Sequence, residues 1–250
     1  MTFVTDIWYI TNGDVAFTML ALVAFLLAIY LAIVPHEIAH GLVAKWNGDL
    51  TAKMNGRLSL NPIVHLDPIG FLMLLTVGFG YAKPVPVNPY NFKVPRRGLF
   101  TVAIAGVTYN LLATILSSFF LALIMFLSPV IENVYMYFFL STFFELLATI
   151  NLTLFLFNII PLGHLDGFKI IEAYAHRENR FIGFLRRYGS YILIALFALH
   201  FAVHYIQSYA GLEFLQYFDI LGLYLNTCSY WIGNGILSLF TMMFGLGPVF

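Results

Sequence analysis

An all-α polytopic membrane protein is what this chain predicts, and two features carry that expectation. Hydrophobic residues make up 61% of the 250 positions and charged residues only 10%, against about 25% charged in an ordinary soluble domain. The apolar residues are also gathered into runs long enough to cross a bilayer, for which a helix needs roughly 20. A water-facing surface cannot be built from this supply. The whole chain 1–250 is therefore read as a single integral membrane domain, with a core at about 15–170 and C-terminal helices at about 188–244.

Five segments meet the length test, at about 15–44, 99–127, 134–160, 188–206 and 220–244. All 12 Lys and Arg fall in two of the connecting loops, from Lys45 to Arg97 and from Lys169 to Arg187. The N-terminus, the loop with Glu132 and the loop with Glu213 and Asp219 carry acidic residues only. The positive-inside rule then places the N-terminus outside a multi-pass cytoplasmic membrane protein and both basic loops in the cytoplasm. Five crossings would return the C-terminus to the inside.

The first basic loop holds a further apolar stretch, 69–79, which is too short to span as a helix. Pro68, Gly70, Gly78, Gly80, Pro84, Pro86 and Pro89 punctuate it. This predicts a short re-entrant segment or β-hairpin within 66–90, either dipping into the membrane or lying on its surface. Irregular backbone is tolerated at depth only where protein or water satisfies it.

Composition also excludes. With 12 basic and 12 acidic residues the net charge is zero, which gives no footprint for nucleic acid. A lone cysteine, Cys228, leaves no internal disulfide framework and no zinc ribbon. Asp6 and Asp14 stand where a cleavable leader would need Lys or Arg.

Ionisable groups inside spans are costly, so each asks for a partner or a function. The first span ends in Pro35-His36-Glu37-Ile38-Ala39-His40-Gly41. On a helix, residues four apart are separated by about 400° and roughly 6 Å of rise, so His36 and His40 share a face and can grip one metal. Glu37, one residue along, can reach a metal-activated water without ligating the metal. This is the HExxH arrangement of zinc hydrolases. Pro35 need not break the span if neighbouring groups satisfy the carbonyl it frees.

A catalytic zinc takes three protein ligands and keeps one open position. The candidates for the third are Glu145, Asp166, and the i, i+4 pair His200 and His204. His36 lies about nine residues, or roughly 14 Å of helix, before Lys45, which places it near the cytoplasmic face. Asp166 returns to that face, just before Lys169, whereas Glu145 lies deeper. His200 and His204 fall toward the outer end of their span with no carboxylate beside them. Asp166 is the expected ligand. Asn110 in the second span and Asn158 in the third are candidates for orienting a scissile carbonyl or donating to its oxyanion, with interhelical packing as the alternative for each.

Together these segments resemble the site-2 protease family of zinc intramembrane metalloproteases, and its compact bacterial members without PDZ or CBS domains above all. The resemblance runs over about 30–170. It is carried by His36-Glu37-Ile38-Ala39-His40-Gly41, Gly48 to Lys53, Gly56 to Pro62, His65 to Gly70, Tyr81 to Pro89 and Asn158 to Gly167. It implies one zinc per chain held by His36, His40 and Asp166, with Glu37 as general base. It implies hydrolysis of a peptide bond within or near a transmembrane helix of a protein substrate. It also puts Asn110 in the family's Gly-x-x-x-Asn motif, here Gly106-Val107-Thr108-Tyr109-Asn110, with Val107 where many members have proline. On this reading the segment 78–89 would offer a strand edge to an unwound substrate. Two other classes stay open: a catalytically silent membrane scaffold, and a zinc transporter using both histidine pairs as way-stations.

Overall fold

The computed structural model describes residues 3–77, 80, 82–176 and 179–249. Helices α1 (Phe3–Ile10), α2 (Val15–Trp46), α3 (Thr51–Met54) and α4 (Pro68–Val77) are followed by α5 (Pro95–Leu127), α6 (Val134–Asn158), α7 (Asp166–Tyr174), α8 (Arg180–Ala210) and α9 (Ile220–Met243). Among the described residues no strand is formed beyond one isolated antiparallel bridge, Leu66 to Ala82. The all-helical expectation holds.

The long helices begin where local chemistry allows. Asp14 caps α2 by accepting from Ala16 N and Phe17 N at 2.8 and 3.1 Å. Asn133 caps α6, and Asn179 caps α8. Each side chain satisfies helix donors that would otherwise be orphaned. Pro95 opens α5 from the first turn, where its missing N–H costs nothing.

Among the described residues, four helices are long and apolar enough to cross a membrane: α2, α5, α6 and residues Arg180–Gln207 of α8. The expected fifth span does form a helix, α9, but Asn226, Asn234 and three glycines dilute its apolar character. α2, α5 and α6 pack on one another, and α9 packs against α5 and α6. The direction of α9 is visible from its contacts. Tyr224 Oη donates to Leu156 O at 3.1 Å, beside the last turns of α6. Phe240 and Phe244 lie on Phe119, and Phe244 stacks on Phe126 in the last turn of α5. α9 therefore runs parallel to α5 and ends beside the end of α5. A strict five-crossing count would have turned it the other way. The reason is local: His200 Nδ1 meets Asp219 Oδ2 at 2.7 Å, so α9 starts beside the last third of α8 rather than beyond its end.

Of the re-entrant segment or β-hairpin predicted between residues 66 and 90, the described residues form a helix, α4, and an arm without regular structure at 83–88, with no hairpin among them. Asp67 Oδ1 accepts from Ile69 N and Gly70 N, at 3.0 and 2.9 Å, with Pro68 as the first helical residue. Asp-Pro is a cap and first-turn signal, and it starts α4. α4 packs against α1, at the start of the molecule. Gly78, Phe79 and Tyr81 lie outside the described residues, as does Arg177 of the second basic loop.

Candidate metal centre

α2 passes through Pro35 as one continuous helix. The carbonyl that Pro35 leaves without its helical donor is Leu31 O, and Tyr109 Oη of α5 donates to it at 2.6 Å. The next carbonyl, Ala32 O, accepts from Asn110 Nδ2 at 3.2 Å. Two consecutive residues of α5 thus stabilise the turn of α2 that presents His36, His40 and Glu37. Val107 is buried in an unbroken α5.

His36 and His40 are both buried, with rings perpendicular and centroids 4.6 Å apart. His40 Nδ1 donates to Val102 O at 2.7 Å. His36 Nδ1 donates to Asn110 Oδ1 at 2.5 Å. With both Nδ1 atoms carrying protons toward α5, the neutral rings turn Nε2 lone pairs inward. Those two Nε2 atoms are 3.0 Å apart. They face Asp166 Oδ2, at 3.6 Å from His36 and 3.0 Å from His40. Gly106 makes the convergence possible, since a Cβ there would fall 2.5 Å from His36 Cε1 and from His40 Nε2.

Asp166 arrives from a different element. After α6 the chain turns and enters α7, whose backbone closes on the end of α6. A Cβ on Gly167 would lie 2.2 Å from Ile159 O, so only glycine fits. Phe168 is buried with Ile182 and Leu185, which fastens α7 to α8. Lys169 Nζ holds Asp166 Oδ1 at 3.0 Å and leaves Oδ2 pointing at the histidines. The Lys169 ammonium beside it favours the charged form of this carboxyl.

His36, His40 and Asp166 form a buried three-residue group that could hold a metal ion. Asp166 Oδ2 has no hydrogen-bond partner and is fully buried. Two imidazole lone pairs and one such carboxylate oxygen, within 4.8 Å of one another, are the donor set that zinc takes. The residues present fit a divalent cation.

The group opens into a cavity of about 310 Å³, lined also by Glu37, Val85, Asn158 and Lys169. Glu37 Oε2 accepts from Val85 N at 2.8 Å. The arm around Val85 is itself held at both ends. Arg57 donates to the carbonyls of Lys83 and Pro84. Asp49 accepts from Asn88 N at 2.7 Å, from Asn91 Nδ2 at 2.8 Å and from Thr51. Lys83 N donates to His65 O at 2.8 Å, and His65 Nε2 donates to Ser59 O at 2.8 Å. The loop motifs that showed no chemistry in the sequence are thus the clamp that lays the arm over Glu37. The same bonds limit the arm as a strand edge. Lys83, Val85 and Asn88 already donate their N–H groups, and Pro84 and Pro86 have none.

The remaining predicted residues are placed plainly. Asn158 lines the cavity and donates to Leu154 O of its own helix at 3.0 Å. Asn110 is fully buried, and both of its amide hydrogens are taken, by Ala32 O and by Asn151 Oδ1 at 2.8 Å. It has no donor left for an oxyanion. Glu145 lines a separate cavity of about 480 Å³ between α5, α6 and α9, among Ser141, Thr149, Ser229 and Asn234. His200 pairs with Asp219 and lines a third, largely apolar cavity. Sequence reasoning overlooked Asn151, Lys169 and His164, which lines the metal-side cavity with Nδ1 3.0 Å from Ser190 Oγ. The i, i+3 spacing of Asp166 and Lys169 was the available signal. For Asn151, a buried amide in an apolar helix was signal enough.

The fold and site define a helical membrane protein with a buried His–His–carboxylate group beside a glutamate. Residues 130–201 match peptidase family M50, the site-2 protease family, over the span and turn that supply Asp166. The chain is also 47% identical over 137 residues to a Bacillus subtilis (strain 168) protein named "Putative zinc metalloprotease YwhC". That match covers 55% of this chain and 62% of the relative's length. The resemblance carried by the motifs is therefore met by both comparisons. No solved structure matches.

Proposed function

We propose that this chain is a zinc-dependent intramembrane endopeptidase of the site-2 protease type, holding one zinc through His36, His40 and Asp166. The observation that carries this reading is the meeting of His36 Nε2, His40 Nε2 and Asp166 Oδ2 in the same cavity as Glu37. The family match and the relative's name support it.

When bound, zinc would supply Lewis acidity, bringing a coordinated water's pKa to about 7 and polarising the scissile carbonyl. Glu37, held by Val85 N–H, accepts the water's proton and later passes it to the leaving amine. Asn158 lies in the cavity where a substrate carbonyl would be oriented. The arm lies against Glu37 through the Val85 N–H. A substrate helix must open before a peptide carbonyl can enter, because its backbone is otherwise bonded internally.

The distribution of Lys and Arg supports an outside N-terminus and a site toward the cytoplasmic face. A silent scaffold has no need of Glu37 in the metal cavity. Transport needs a joined polar path, and the His200–Asp219 pair lines a different cavity from the metal group.

The test is cleavage of a panel of fluorescent single-span reporter helices by detergent-purified protein, alongside Glu37→Gln and a sample treated with a zinc chelator. Cleavage by wild type alone is expected. Cleavage that survives both treatments would overturn the proposal.

A further inference from the structure

The polar chemistry on the metal group does not stop at His36. Asn151, in the middle of α6, is fully buried and donates Nδ2 to Leu147 O of its own helix at 2.8 Å. That bond fixes which way its amide faces, so Asn151 Oδ1 is the atom turned toward α5. There it accepts from Asn110 Nδ2 at 2.8 Å. Asn110 gives its other hydrogen to Ala32 O, the carbonyl beside the one freed by Pro35. Only Asn110 Oδ1 is then left for His36 Nδ1, at 2.5 Å.

We infer that Asn110 and Asn151 form an amide relay that sets the tautomer of His36, making Asn151 a positioning residue for the metal group although it touches no ligand. A carboxamide offers an oxygen or a nitrogen depending on its flip, and the flip is decided by its neighbours. With Asn151 in place, the flip of Asn110 forces His36 to carry its proton on Nδ1 and to keep an Nε2 lone pair for the metal. Without the Asn151 acceptor, one Asn110 hydrogen loses its partner deep in the bundle. Held then by Ala32 O alone, at 3.2 Å, the amide turns its nitrogen toward Nδ1 more readily, which places the ring proton on Nε2, on the metal side. His40 has no such dependence, because the Val102 carbonyl that receives its Nδ1 proton cannot flip. The two histidines are thus held by different means: one by backbone, the other by a chain of side chains reaching into a third helix.

This inference rests on the metal-group reading and deepens it. The experiment measures zinc affinity by chelator competition on detergent-purified protein, with helical content and monodispersity followed in parallel. Groups that orient a metal-binding histidine typically change affinity by 10–100-fold. Asn151→Leu is expected to weaken zinc by that factor, and Asn110→Leu by at least as much. Asn151→Asp keeps an oxygen for Asn110 and is expected to stay within a few-fold of wild type. It also keeps the question open to test should the leucine variant fail to fold. Thr149→Val, two residues away on α6, is the control and should match wild type. A second readout needs no zinc. Selectively ¹⁵N-labelled histidine in the metal-free protein should show one ring moving from the Nδ1–H to the Nε2–H form in Asn151→Leu. Wild-type zinc affinity in folded Asn151→Leu, or a loss in Asn151→Asp equal to that in the leucine variant, would overturn the relay. Asp166→Ala in the same assay separates the two levels: if zinc is indifferent to Asp166, the metal-group reading fails and not the relay alone.

Discussion

This chain contains two histidine pairs with the same i, i+4 spacing on long apolar helices, His36/His40 on α2 and His200/His204 on α8. Both meet an aspartate from another element, but through different ring nitrogens. The first pair is buried, its Nδ1 atoms are committed to α5, and a third element delivers a carboxylate oxygen to the point where the Nε2 atoms meet. In the second pair, His200 turns its Nδ1 to Asp219, a short bond between the last third of α8 and the cap of α9. Spacing places two imidazoles on one face. It does not aim their lone pairs. What aims them is the set of acceptors behind the rings and, for the first pair, the carboxylate of Asp166 arriving from elsewhere in the chain.

Replacing the proposed third ligand attacks the contrast most directly. Asp166→Ala should take bound zinc from about one per chain to near zero by elemental analysis, and abolish cleavage with it. Glu37→Gln should leave zinc in place while lowering the cleavage rate by roughly 10²–10⁴-fold, the usual worth of a general base. Zinc lost in Glu37→Gln would mean that Glu37 is a ligand. Gly106→Ala puts a methyl group into the histidine rings and should cost about 1–3 kcal/mol, read as a lower melting temperature together with weaker zinc binding.

Asp49 gives a smaller, pH-dependent effect. Burial pushes its carboxyl up, but hydrogen bonds from Thr51, Asn91 and Asn88 outweigh that and hold it below the usual carboxylate range. A depressed folded value means the stabilisation is fully present above the unfolded value, about 3.9, and is lost as pH falls through the folded value. Asp49→Asn should therefore cost about 2 kcal/mol at neutral pH, and its melting curve should begin to approach that of wild type only as pH falls below about 3.9. A gap that does not narrow at all as pH falls below the unfolded value would count against this clamp. The smallest effect belongs to the second pair. His200→Ala with His204→Ala should leave zinc stoichiometry unchanged, and any loss of zinc there would erase the distinction between the two pairs.

Much of this was legible before any coordinates. The apolar runs fixed the long helices, because backbone in a bilayer must bond within itself. The HExxH spacing placed His36, Glu37 and His40 on adjacent positions of one helix. The order of charged loops brought Asp166 to the same end of the bundle. Other features were hidden for physical reasons. The arm over Glu37 depends on Asp49 and Arg57 reaching backbone atoms many residues away, and no local pattern reports such partners. α4 was obscured because its short apolar run is consistent with either a helix or a hairpin, and the Asp67-Pro68 cap was the only local discriminator. The direction of α9 followed from a side-chain pair, His200–Asp219, that no count of crossings contains.

The sequence by itself determined that this is a helical membrane protein and which residues a metal could use, since both follow from composition and from the fixed geometry of one helix. Only the tertiary structure decided which lone pairs face inward. That depends on a carbonyl at Val102, an amide at Asn110 and a second amide at Asn151. Hydrogen bonds between helices are set by packing, and packing is a property of the folded chain rather than of any segment of it.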